Sequence, residues 1–98
     1  VFQALDDISA DVRAEAVTLI GKSCDAEDVE DILVRKLTDQ DTQVRKNTAM
    51  SLMKLEAFNA IESIEAAKLT EKDESVKAVF NVAVNILSRD SQAEQENE

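Results

Sequence analysis

The sequence has no histidine, proline, tryptophan or tyrosine, one glycine (Gly21), one cysteine (Cys24) and three phenylalanines. Each shortage removes a class of function or fold. Without histidine there can be no Ser-His-Asp or Cys-His catalytic set and no His-ligated zinc or iron. A single cysteine allows neither an intrachain disulfide nor a thiolate cluster, and it fits a reducing, cytoplasmic compartment. A single glycine cannot build a glycine-rich phosphate loop. Scarce turn residues and aromatics argue against a β-sandwich or barrel. No apolar run approaches the roughly 18 residues of a membrane span. The first residues, Val1 to Asp7, lack the basic segment and apolar stretch of a secretory signal, and a start at valine is expected of an excised or processed chain.

What is present is charge and aliphatic surface. Of 98 residues, 44% are hydrophobic, 21 are acidic and 11 basic, for a formal net charge of −10. This is the composition of one all-α domain. Its acidity argues against nucleic acid, whose binding needs many Lys and Arg contacts to phosphate, and against anionic lipid.

The sequence repeats. Shifted by 32 residues, Leu5, Leu37 and Leu69 coincide, as do Val12, Val44 and Val76, each followed by a base: Arg13, Arg45 and Lys77. Asp7, Asp39 and Glu71 form one acidic column, and Ser9, Asp41 and Asp73 form a column of N-cap residues. A fixed period of this length marks a repeat array. Behind the caps, apolar residues at helical spacing predict first helices over about 10–22, 42–55 and 74–88. The first carries Val12, Ala16, Leu19 and Ile20. Second helices carry Val29, Ile32, Leu33 and Leu37, starting at an Asp25 cap, and then Phe58, Ile61, Ile64 and Leu69. The break at Glu56-Ala57 follows from the period alone, since no glycine, proline or strong cap marks it. Residues 5–36 and 37–68 are two repeats and 69–88 part of a third. Residues 1–5 match the end of a preceding repeat, within a domain of 1–89, and the polar stretch 90–98 is expected to be a disordered acidic tail.

The run Leu37-Thr38-Asp39-Gln40-Asp41-Thr42-Gln43-Val44-Arg45 resembles short HEAT-like repeats of the phycobilisome-lyase type, over residues 5–88. The resemblance implies a right-handed α-solenoid of about two and a half helix pairs, first helices outside and second helices lining a concave surface. It departs where Thr48, Met53 and Phe80 replace small residues at close helix contacts, and where Lys77 replaces arginine. By this resemblance the bases Arg13, Arg45 and Lys77 are a structural ladder tying inter-repeat carboxylates Asp7, Asp39 and Glu71, not an anion site.

Residues 1–31 hold nine acids and two bases, a local net of −7, whereas residues 32–56 hold three acids and five bases, a net of +2. Asp25, Glu27, Asp28, Glu30 and Asp31 do not spell a calcium loop, because Glu30 stands where glycine is needed and Lys36 where the closing glutamate belongs. Cys24, at an inter-helix turn with only Lys22 near it in sequence, is expected to be an ordinary small residue. The candidate binding face is the concave acidic face, on the side of the second helices turned away from their buried centre: Glu27, Glu30, Asp31, Val34 and Arg35, then Asn59, Glu62, Ser63 and Ala66. Its acids favour a basic protein or peptide.

The reading that follows is a non-catalytic interaction scaffold or adaptor, not an enzyme, with no metal or cofactor, acting within a longer repeat protein. A bilin lyase or isomerase subunit is the alternative, disfavoured by the shortage of aromatics around a large ring; a structural spacer is the second. Phe2, Leu5 and the Ile8–Val12 side are expected to be an open end capable of weak self-association.

Overall fold

A computed structural model describes residues 2–96. It contains helices Ala10–Ser23 (α1), Ala26–Arg35 (α2), Thr42–Lys54 (α3), Ile61–Thr70 (α4) and Glu74–Glu96 (α5), with 3-10 turns at Phe2–Asp6, Lys36–Thr38 and Phe58–Ala60. No strand occurs among the described residues. The architecture is all-α and solenoid-like. The first helices α1, α3 and α5 lie side by side as a sheet of helices, and the second helices α2 and α4 hardly approach each other. The body is a slab of 44 × 29 × 15 Å.

The core is the set of repeated apolar columns. Val17, Ile20, Val29, Leu33, Leu52, Ile64, Phe80 and Leu87 are buried together. Phe80 fills the position held by Ala16 and Thr48 in the earlier repeats, and all three are buried. The closest approach lies between α1 and α3. A Cβ placed on Gly21 would sit 2.9 Å from the Ser51 Cα, and the Ser51 hydroxyl donates to the Val17 carbonyl at 2.7 Å. Glycine here lets the two backbones come close enough for that bond.

Local chemistry departs from the sequence reading in four places. Asp41 and Asp73 accept first-turn amides, Gln43 and Val44 for the former and Ser75 and Val76 for the latter. Ser9 and Asp25 occupy the N-cap positions of α1 and α2 without a side-chain cap bond. Asp7 accepts the Ser9 amide at 2.8 Å, as Asp39 and Glu71 accept the amides of Asp41 and Asp73 in the later repeats.

The break after α3 is a left-handed turn. Glu56 has φ 55°, the Glu56 N–H donates to Met53 C=O at 3.1 Å, and the Ala57 N–H donates to Leu52 C=O at 3.0 Å. This pair of bonds is the Schellman closure that glycine usually supplies. The second helix of the next repeat is thereby re-phased. Residues 26–38 run as α-helix and then 3-10 turn, whereas the matching residues 58–70 run as 3-10 turn and then α-helix. Leu37 is therefore buried in its turn, but Leu69 lies five residues past Ile64, about 140° around α4, and is 85% exposed. Leu69 does not belong to the core column.

The stretch expected to be disordered from residue 90 continues α5 to Glu96; residues 97 and 98 lie outside the described residues. A helix already nucleated at the Asp73 cap extends through Gln92, Ala93 and Glu94 at little cost, because good helix formers need no apolar stripe to propagate.

Candidate functional site

The gap between α2 and α4 opens as a cleft of about 900 Å³ at the amino-terminal ends of the second helices. One wall is the first turns of α2, with Asp25, Glu27, Glu30 and Asp31. The facing wall is the turn closing α3 and the start of the next second helix, with Glu56, Ala57, Phe58 and Asn59. The acids sit where a helix amino terminus favours negative charge. Five carboxylates thus border one opening, with one aromatic ring, half-buried Phe58, beside them. Burial raises the pKa of the Glu30 carboxyl, and the charge of Asp31 adds to the rise. Among the described residues no group of three or more acids or thiols is arranged to hold a metal ion.

The nine residues of the candidate face do not form one surface. Glu27, Glu30, Asp31 and Asn59 line this cleft. Val34, Ser63 and Ala66 line a separate depression of about 290 Å³ further along the groove, floored by Leu37 and Ala67. Arg35 lies on the other side of α2, in a hollow with Phe2, Asp6 and Ile32. Glu62 is exposed on α4 and lines none of these three hollows. Pattern reasoning missed Glu56 and Phe58 because they reach the cleft from the next repeat. The available signal was that position 56 repeats the inter-helix turn of Cys24, at the mouth of the same groove. Cys24 itself is half-buried and packs against the core.

The base–acid columns pair forward by one repeat. The Arg13 guanidinium donates to both Asp39 carboxylate oxygens at 3.0 and 3.1 Å, and Arg45 to both of Glu71 at 2.8 and 2.9 Å. Each arginine also donates twice to carbonyls of its own loop: Arg13 to Asp7 and Ile8, Arg45 to Asp39 and Gln40. All these donors are committed within the protein, and the pairs are largely buried rather than exposed. Burial pushes the Asp39 and Glu71 carboxyls up, but the arginine hydrogen bonds, the amides of Asp41 and Asp73 and the arginine charges outweigh it, leaving both below their usual range. The ends of the ladder differ from the expectation. Among the described residues Lys77 reaches Glu74, at 3.5 Å; the position 26 residues ahead of it, which would match Asp39 and Glu71, lies outside the 98-residue sequence. The Asp7 carboxylate receives no guanidinium among the described residues.

The HEAT-repeat family matches residues 1–85. The chain belongs to the HEAT-repeat family. HEAT repeats generally mediate protein interactions. A similar protein is the bilin biosynthesis protein MpeU of Synechococcus sp. (strain WH8020), 45% identical over 89 residues, which cover 91% of this chain and 30% of that protein. No solved structure matches. This bilin biosynthesis relative overturns the expectation of a non-catalytic scaffold or adaptor that is not an enzyme, and it favours the bilin lyase or isomerase alternative. The argument from missing aromatics fails for a physical reason: the chain spans under a third of the relative's length, so the composition of these repeats does not bound the walls of a site that other parts can supply. No helix among the described residues is long and apolar enough to cross a membrane.

Proposed function

We infer that these HEAT repeats work within a bilin lyase or isomerase-type protein, an enzyme acting on a linear tetrapyrrole. The observation that carries this reading is the 45% identity over 89 residues to a bilin biosynthesis protein. The chemistry of the cleft supports a division of labour. A bilin carries two propionate carboxylates, which five carboxylates around one opening would repel, and Phe58 alone is a small wall for so large a chromophore. The same cleft attracts cations. Its part in the reaction is therefore to dock a basic segment of the protein that receives the bilin, while the tetrapyrrole is held elsewhere.

The experiment is bilin transfer by the whole protein containing these repeats, read as tetrapyrrole absorbance bound covalently to the acceptor. Glu27→Lys with Asp31→Lys should slow transfer at least about tenfold at low salt and much less at high salt, where the native cleft is screened as well. An unchanged transfer rate would contradict the docking role. Absence of transfer by the native protein would contradict the bilin reading itself.

A further inference from the structure

Of the residues expected to form an open apolar end, Leu5 is 3% exposed and belongs to the core. The outer side of the layer of first helices is a separate exposed face. Met50 lies two residues from both Thr48 and Leu52, which are 0% exposed, so it points about 200° around α3 from the core. Thr18 and Val82 hold the same position on α1 and α5, two residues past buried Ala16 and Phe80. Met50 is 42% exposed and Val82 50%. Because α3 already has α1 on one side and α5 on the other, the exposure of Met50 marks a column that repeat stacking does not cover. The Thr18 hydroxyl donates to the Ala14 carbonyl at 3.1 Å, which satisfies it within its own helix.

Cations surround this apolar centre. Half-buried Lys46 and exposed Lys54 stand one turn either side of Met50 on α3, and exposed Lys22 stands one turn beyond Thr18 on α1. None of the three forms an ion pair among the described residues. The chain has 21 acids against 11 bases, yet α3 contains Arg45, Lys46 and Lys54 and no acid. Arg45 is committed to Glu71, and the two lysines are not. The helix dipole accounts for Lys22 and Lys54, in the last turns of α1 and α3, but gives no advantage to Lys46 in the second turn. The acids of α1 lie away from the centre. Asp11 is seven residues before Thr18, and Glu15 holds the position of Asn47, whose amide reaches back to the preceding helix at Ala14.

We propose that the outer column Thr18, Met50 and Val82, with Lys22, Lys46 and Lys54 around it, docks an acidic amphipathic helix of a partner protein. Packed helices lie roughly 8–10 Å apart, so the column runs about 18 Å from α1 to α5, the length of a helix of about 12 residues. A helix laid along it sets its apolar stripe on Met50 and Val82. Its carboxylates then fall on both flanks, toward Lys46 on one side and toward Lys22 and Lys54 on the other. An unbranched methionine at the centre adapts to the side chains it meets, and the lysine stems add apolar area while their ammonium groups meet the acids. The acidic groove lies on the other side of the layer and selects the opposite charge, so both surfaces can be occupied at once.

The chain has two methionines, and they report on opposite environments: Met50 on the face and Met53 against the core. The 98-residue chain, methyl-labelled at methionine, is titrated by NMR with a helical peptide of about 18 residues that carries one leucine stripe flanked by glutamates. At about 50 mM salt the Met50 signal should shift with a Kd below about 100 μM, while Met53 stays still. Lys46→Glu with Lys54→Glu should weaken binding at least about tenfold, with the Met53 signal unmoved as the mark of an intact fold. Glu27→Lys with Asp31→Lys, in the groove, should leave the affinity within about twofold. A Met50 signal that does not move would overturn the proposal, as would equal binding of a peptide with lysine for glutamate or serine for leucine. Self-association of the chain that the two lysine substitutions abolish would overturn it too, by making a second copy the occupant. So would a linear tetrapyrrole that shifts Met50 at lower concentration than the peptide does.

Discussion

Glu56 shows how much a single residue can settle. It holds a left-handed conformation that disfavours every side chain but suits glycine, and it does so to close α3. The turn also carries its carboxylate to the mouth of the acidic cleft. Glu56→Gly should therefore stabilise the protein by about 0.5–1 kcal/mol, the left-handed penalty less the extra backbone freedom glycine has when unfolded. Equilibrium urea unfolding measures it; a loss of stability would show that Glu56 makes a compensating contact. No neighbouring residue type announces this turn, which is why position 56 could be located only through the 32-residue period. Leu69 is the matching case. Its column is apolar in every repeat, yet the phase of α4, set thirteen residues earlier by the same turn, carries it outward.

Elements are held by two devices, close backbone approach and the forward ion-pair ladder. At the first, Gly21→Ala would drive a methyl against Ser51, including its backbone Cα. It should destabilise by about 1–3 kcal/mol through displacement of α1 from α3 and loss of the bond from Ser51 to Val17. The readout is the thermal midpoint, and an unchanged value would mean the helices can part without cost. At the second, Arg45→Ala would leave the Glu71 carboxylate buried without its partner, at a cost of about 1–3 kcal/mol near neutral pH. The sign of the acid dependence follows from the lowered carboxyls of Asp39 and Glu71. Their stabilisation is complete above the unfolded carboxylate range, about pH 4–4.5, and is lost as pH falls through the lower folded values. Unfolding free energy measured from pH 7 to pH 3 should fall less in Arg45→Ala than in the parent. Equal slopes would show that Glu71 is not held ionised by Arg45.

Across the whole molecule, the all-α repeat architecture was legible because burial is periodic. Columns such as Val44 and Val76, or Ile20 and Leu52, must be apolar wherever a neighbour covers them. What stayed hidden depends on contacts between repeats. The forward direction of the Arg13 and Arg45 pairs arises only once α1, α3 and α5 are stacked, and the cleft residues Glu56 and Phe58 and the split of the candidate face into separate hollows only once α2 and α4 are placed across a groove. Function was legible only as an alternative. The chain is poor in the histidines and aromatics that signal chemistry, and the chemistry of a repeat protein lies in the whole stack. The most direct test is the absorption spectrum of a biliprotein acceptor recovered, denatured, after incubation with a linear tetrapyrrole and the whole protein containing these repeats. Covalent chromophore on the acceptor, absent when the protein is left out, is the result expected. An acceptor that remains colourless would contradict the account.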